Sequence, residues 1–155
     1  MTASGVAASA GLGTPETYLN TQRADNLLQP IRPGIREYPG VTGPLPLNHF
    51  ALKGAWNGSS ESITAEGQGG SITGTVQAAK VYLVLTSAGN VPRQARVLLD
   101  GRPLPAAHAG ADVKHGVVTI TGQRLYSLIS FPAAQQFTFT VQLPAGVSAY
   151  DFTFG

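Results

Sequence analysis

The chain has 155 residues, 43% of them hydrophobic and 12% charged, a balance that excludes a disordered chain and suits one domain with one core. Ten Lys+Arg stand against eight Asp+Glu for a net charge of +2; the cations are dispersed, with no basic run interleaved with aromatics, which excludes nucleic acid as a partner. With no cysteine, thiol catalysis, thiolate metal sites and disulfides are excluded, and no apolar run approaches the ~20 residues of a membrane span.

Residues 1–13, MTASGVAASAGLG, carry only small side chains past Met1 apart from Val6 and Leu12, and are read as a flexible leader or linker; residues 14–155 are read as the folded domain. The leader lacks a basic start and a strong apolar stretch, so it makes a poor signal peptide. Residues 14–29 admit two readings. One is a short helix capped by Thr14, with Pro15 in its first turn and Glu16 near the positive end of the dipole; the other is an extended segment followed by a turn. Residues 30–46 hold five prolines and three glycines, which excludes a regular helix and predicts a long loop laid across the domain.

From residue 47 the apolar period becomes two. Phe50, Leu52, Gly54 and Trp56 share one face; Ile63 and Ala65, then Ile72, Gly74 and Val76, alternate with polar neighbours. EGQGGS (66–71) joins these runs and is read as a turn rather than a phosphate cradle, because no helix follows it. VYLVLT (81–86) is apolar on both faces and predicts a central strand. Asp100-Gly101 between apolar runs predicts a hairpin with RPL as its return strand. VVTIT (117–121) and RLYSLIS (124–130) read as a second hairpin, QFTFTVQL (136–143) as a strand burying Phe137, Phe139, Val141 and Leu143. Pro144-Ala145-Gly146 is a turn, and a last strand places Tyr150, Phe152 and Phe154 on one face. Eight or nine short strands separated by regular turn signals predict an all-β fold, a two-sheet antiparallel β-sandwich of jelly-roll-like form.

The chemistry-bearing residues are sparse. His108, Asp112 and His115 have a spacing that can hold a metal on a loop, but no carboxylate cluster or helix supports it, and they are read as a solvated connection; no metal and no cofactor is expected. No Gly-x-Ser-x-Gly is present, and the few carboxylates are accounted for by turns and wet strand faces, so no catalytic residue is assigned and the chain is read as a nonenzyme. Aromatics can offer a stacking platform for a sugar ring beside hydrogen-bonding groups. Trp56, Tyr38 and Tyr126, with Arg124, are the candidate ligand-binding residues, although Trp56 shares its face with Phe50 and Leu52 and so also suits the core.

TPETYLNTQRA (14–24), LKGAW (52–56), VYLVL (81–85), VLLDGRPL (97–104), RLYSLI (124–129) and LPAGVSAYDFTFG (143–155) occur in one order. This set resembles the C-terminal domain that follows the thioredoxin fold in DipZ-type thiol–disulfide interchange and cytochrome c biogenesis proteins of bacteria. Asn20 stands where the family commonly has glycine, and no Cys-x-x-Cys domain precedes the match. The resemblance implies a noncatalytic, carbohydrate-binding-module-like sandwich, extracytoplasmic, packed beside a thioredoxin-like redox domain through Glu16, Tyr18 and Arg23. It implies an envelope glycan as one partner class; a protein-interaction or structural appendage that positions a redox partner or forms an oligomer, without sugar binding, is the alternative.

Overall fold

The computed structural model describes residues 13–155; the expected leader lies outside the described residues except for Gly13. Ten strands occur among them: β1 (Thr17–Tyr18), β2 (Gly34–Pro39), β3 (His49–Gly58), β4 (Ile63–Ser87), β5 (Arg93–Leu99), β6 (Arg102–Pro103), β7 (Val113–Lys114), β8 (Val117–Ile120), β9 (Arg124–Leu143) and β10 (Val147–Phe154). All pairings between them are antiparallel.

Two long strands, β4 and β9, form a ribbon that serves both layers of the sandwich. Gly70–Ala78 pair with Gln135–Leu143, and Lys80–Leu85 pair with Arg124–Ser130. Between these stretches Phe131-Pro132-Ala133-Ala134 stand against Ala79 alone, a bulge of three extra residues where the ribbon crosses from one layer to the other. Pro132, which has no N–H to give a ladder, sits there without loss. One layer runs β2, β3, the first part of β4, the second part of β9, β5, β8 and β7; the other holds β1, β10 and the remaining parts of β4 and β9. Strand β10 closes the structure, since Ser148 faces both Thr64 and Thr86, near the two ends of β4.

The core follows from the alternation. Phe50 and Phe139 of one layer meet Phe152 of the other at ring-centroid distances of 5.5 and 5.4 Å. Phe137, Phe139, Val141 and Leu143 are buried as expected, and Val81, Leu83 and Leu85 are buried in the centre of the sheet. Gly74 is needed beneath Phe50, for a Cβ there would come within 2.5 Å of the ring. Asp100 (φ 51) and Gly101 (φ 80) make the expected hairpin turn between β5 and β6.

The structure decides one open expectation and corrects several others. Residues 14–29 take the extended reading, and Thr14 accepts the Gln77 N–H instead of capping a helix. Within the expected loop 30–46, Gly34–Pro39 pair along β3 as an edge strand, a position that tolerates flanking prolines. Residues 66–69 do not reverse the chain: β4 pairs with β3 on both sides of them, so they are a wide bulge opposite Ala55. Strands β8 and β9 are not a hairpin, because β8 pairs with β5 and β7, and 124–143 is one strand. A bulge at Tyr150-Asp151 puts Ala149 and Phe152, rather than Tyr150, against the core.

Candidate functional site

The β4 bulge opens a cleft. Gly67 and Gly69 have φ of 58 and 90, and Gly54 opposite has φ of 94, conformations that favour glycine. A Cβ on Gly54 would lie 2.7 Å from the Gly69 carbonyl oxygen, one on Gly69 2.6 Å from that of Leu143, and one on Gly70 2.5 Å from the Trp56 indole nitrogen. Bare backbone therefore packs on backbone and on the indole edge, and forms a fixed floor. Beside it lies an open depression of about 520 Å³ lined by Lys53, Gln68, Ser71, Gln94, Arg96 and Gln142 with the glycines, Leu143 and Pro144.

Strand register aligns the polar lining. Lys53 stands opposite Ser71, Ser71 opposite Gln142, and Gln142 opposite Arg96. Directly opposed residues of antiparallel strands project to the same face, so the four form a row across β3, β4, β9 and β5. Lys53, Gln142 and Arg96 are exposed. No acidic side chain lines the cleft, and among the described residues the ion pair is elsewhere, between Arg124 and Asp112. The cleft thus offers two cations, three primary amides and a hydroxyl, able to donate and accept toward a polar ligand.

The residues expected to form an aromatic platform are placed otherwise. Trp56 is wholly buried, its Nε1 donating to the Lys53 carbonyl at 3.0 Å. Tyr126 is also wholly buried: its hydroxyl donates to the Gly122 carbonyl (2.8 Å) and accepts the Thr121 N–H (3.0 Å), pinning the entry to β9. Such a tyrosine corner is a device of β-sandwiches. Tyr38 is buried on β2, its hydroxyl accepting the Arg32 N–H at 3.2 Å. None of the three offers a ring face to a sugar, because the core and backbone claim them first. Trp56 and Tyr38 still bear on the cleft, the one under Gly70 and the other opposite Gly54.

Arg124 is engaged as well. Its guanidinium lies 3.9 Å from the Tyr126 ring centroid and forks onto Asp112 at 2.9 and 3.2 Å. The Asp112 carboxylate also accepts the Ser127 N–H at 2.7 Å; Arg124 and this backbone donor hold it below the usual carboxylate range against the opposing effect of burial. Of the metal-spaced residues, Asp112 is thereby committed, His115 (φ 55) and Gly116 (φ 77) make the β7–β8 turn, and His108 packs on Phe131 at 4.4 Å.

A second cluster gathers the expected interface residues. The Tyr18 hydroxyl donates to Glu16 at 3.3 Å, and the Arg23 guanidinium covers the Tyr18 ring at 3.7 Å. Asp151, opposite Tyr18 in register, joins them. Burial raises its carboxyl to about 7, helped by Glu16 and opposed by Arg23. Sequence reasoning missed Asp151 because only the β1–β10 pairing brings it to Glu16. It likewise noticed the glycines of the cleft but not their partners, since Lys53, Ser71, Gln142 and Arg96 are separate in sequence and meet only through register.

Comparison with known proteins adds the family. The family described as "Thioredoxin like C-terminal domain" matches residues 14–155. Protein DipZ of Mycobacterium bovis (strain ATCC BAA-935 / AF2122/97) and of Mycobacterium tuberculosis (strain CDC 1551 / Oshkosh) are each 28% identical over 146 residues, 92% of this chain and 18% of theirs. The chain thus spans less than a fifth of the length of these curated relatives. Among solved structures, family two carbohydrate esterases from Clostridium thermocellum, in complex with cellohexaose, and from Cellvibrio japonicus align at TM-scores of 0.48 and 0.45. The first is 15% identical, covering 61% of this chain and 27% of that one; the second is 16% identical, covering 60% and 26%. With the match running across the whole sandwich, the chain belongs to the thioredoxin-like C-terminal domain family.

Proposed function

We propose that the chain is a noncatalytic, carbohydrate-binding module, appended to a thioredoxin-like domain in an extracytoplasmic protein, with residues 14–155 as its single domain. The observation that carries this reading is the row Lys53–Ser71–Gln142–Arg96 beside a backbone floor. Amides and hydroxyls that both donate and accept suit sugar hydroxyls, and a cleft lined by neither carboxylate nor histidine lacks the paired groups that glycosidic cleavage uses. The family description and the similarity to DipZ support the placement beside a redox domain outside the cytoplasm. Calorimetric titration with oligosaccharides tests it: binding that weakens about threefold to tenfold in Gln142→Ala, with an unchanged thermal midpoint, is expected. No heat from any glycan at millimolar concentration would refute sugar binding.

The convergence of Glu16, Tyr18, Arg23 and Asp151 near the start of the family match favours a second role, contact with the thioredoxin-like neighbour. In the longer protein, Arg23→Ala and Tyr18→Ala are expected to loosen the two domains, read as faster proteolysis between them. Unchanged cleavage in both variants counts against this role.

A further inference from the structure

We infer that the cleft between the β4 bulge and β5 selects carboxylated sugars, of the uronate type, over neutral ones. The inference rests on the carbohydrate-binding reading of the same cleft and names its ligand class.

Three features point to an anionic ligand. First, the lining holds Lys53 and Arg96 and no acid, and residues 1–12 contain no acid either. Neither cation is neutralised by a carboxylate among the described residues, where the ion pair is Arg124–Asp112. Second, the two cations stand at opposite ends of one row, separated by three strand spacings, about 14 Å at the backbone. A short oligosaccharide bearing carboxylates at intervals spans that separation and can meet both. Third, no aromatic ring faces the cleft, since Trp56 lies wholly buried under the glycine floor. The stacking that holds neutral sugars is missing, and hydrogen bonds that merely replace those to water contribute little net affinity. Charge-assisted bonds to Lys53 and Arg96 are the remaining strong contribution.

The amides distinguish a sugar from an anion in general. Gln68, Gln94 and Gln142 project between or beside the cations, and each presents a donor and an acceptor together, the complement of a vicinal diol. A purely anionic peptide would leave these acceptors without donors beyond its own backbone.

Calorimetric titration of the full chain with an oligogalacturonate, its methyl ester and polyglutamate of similar length tests this. The acid form is expected to bind at least about tenfold more tightly than the ester. Added salt should weaken that preference. Lys53→Gln and Arg96→Gln should each erode it, with thermal midpoints unchanged because both side chains are exposed. Equal binding of acid and ester overturns the selectivity while leaving the carbohydrate-binding reading intact. Polyglutamate binding as tightly as the oligogalacturonate overturns it in favour of a general anion surface. Binding of none of the three overturns the inference, and heat from a neutral oligosaccharide in a parallel titration then leaves the carbohydrate-binding reading standing.

Discussion

Trp56 illustrates how a residue that looks like a ligand platform is claimed by the interior. As the chain's single tryptophan, it reports on itself: its emission should be that of a buried indole, poorly quenched by acrylamide and unmoved by a ligand in the cleft. Trp56→Ala should cost about 3–5 kcal/mol in urea denaturation, as large aromatic truncations in cores do. Tyr126→Phe keeps the ring and removes only the hydroxyl that bridges Thr121 and Gly122; about 1 kcal/mol is expected, because Thr121 is exposed and water can take up its N–H. Asp151 supplies a pH dependence. Its carboxyl keeps a proton up to about pH 7 in the folded chain and only to about pH 4 in the unfolded one. The folded state binds more protons in that window, so this group's contribution to stability falls as pH rises from about 4 to about 7. Thermal melts of Asp151→Asn should lack that decline. Asp112 acts oppositely: its lowered pKa stabilises the fold above about pH 4 and the benefit is lost as pH drops below it.

At the scale of elements, strands written by strict alternation were legible, and irregular ones were not. QFTFTVQL states its faces by alternation, VYLVLT states its central place by being apolar on both faces, and Asp100-Gly101 states its turn, because positive φ at both positions narrows the choice of residues. The bulges are different. Nothing in EGQGGS distinguishes a reversal from three extra residues in a continuing strand; the partner decides, and the partner is β3, which lies earlier in the chain. The same holds for FPAAQQ within β9 and for Tyr150-Asp151 within β10. Since the cleft is made by one of these bulges, its location was hidden for the same reason. Gly74→Ala tests the tight approach of strand and ring: a Cβ 2.5 Å from Phe50 should destabilise by about 1–3 kcal/mol through overpacking. The ring presses on β4 away from the row Lys53–Arg96, so glycan titration of the variant should be unchanged as long as it folds.

Over the whole molecule, composition and turn spacing were enough for an antiparallel sandwich, while topology was not, because connections such as β8 to β9 cross between layers. The family match runs over the same residues that build both layers. Much of the sheet is joined by partners distant in sequence: β4 with β9, β5 with β9, β1 with β10, and β10 with both ends of β4. Such pairings fold slowly, because long loops must close before contacts reward them. The placement of Ser148 between Thr64 and Thr86 then has a consequence for biosynthesis. Until residues 147–154 leave the ribosome, both ends of β4 lack their β10 partner and Phe152 cannot plug the aromatic cluster. The sandwich therefore stays open along this seam while residues 14–146 are made, and closes only when β10 docks.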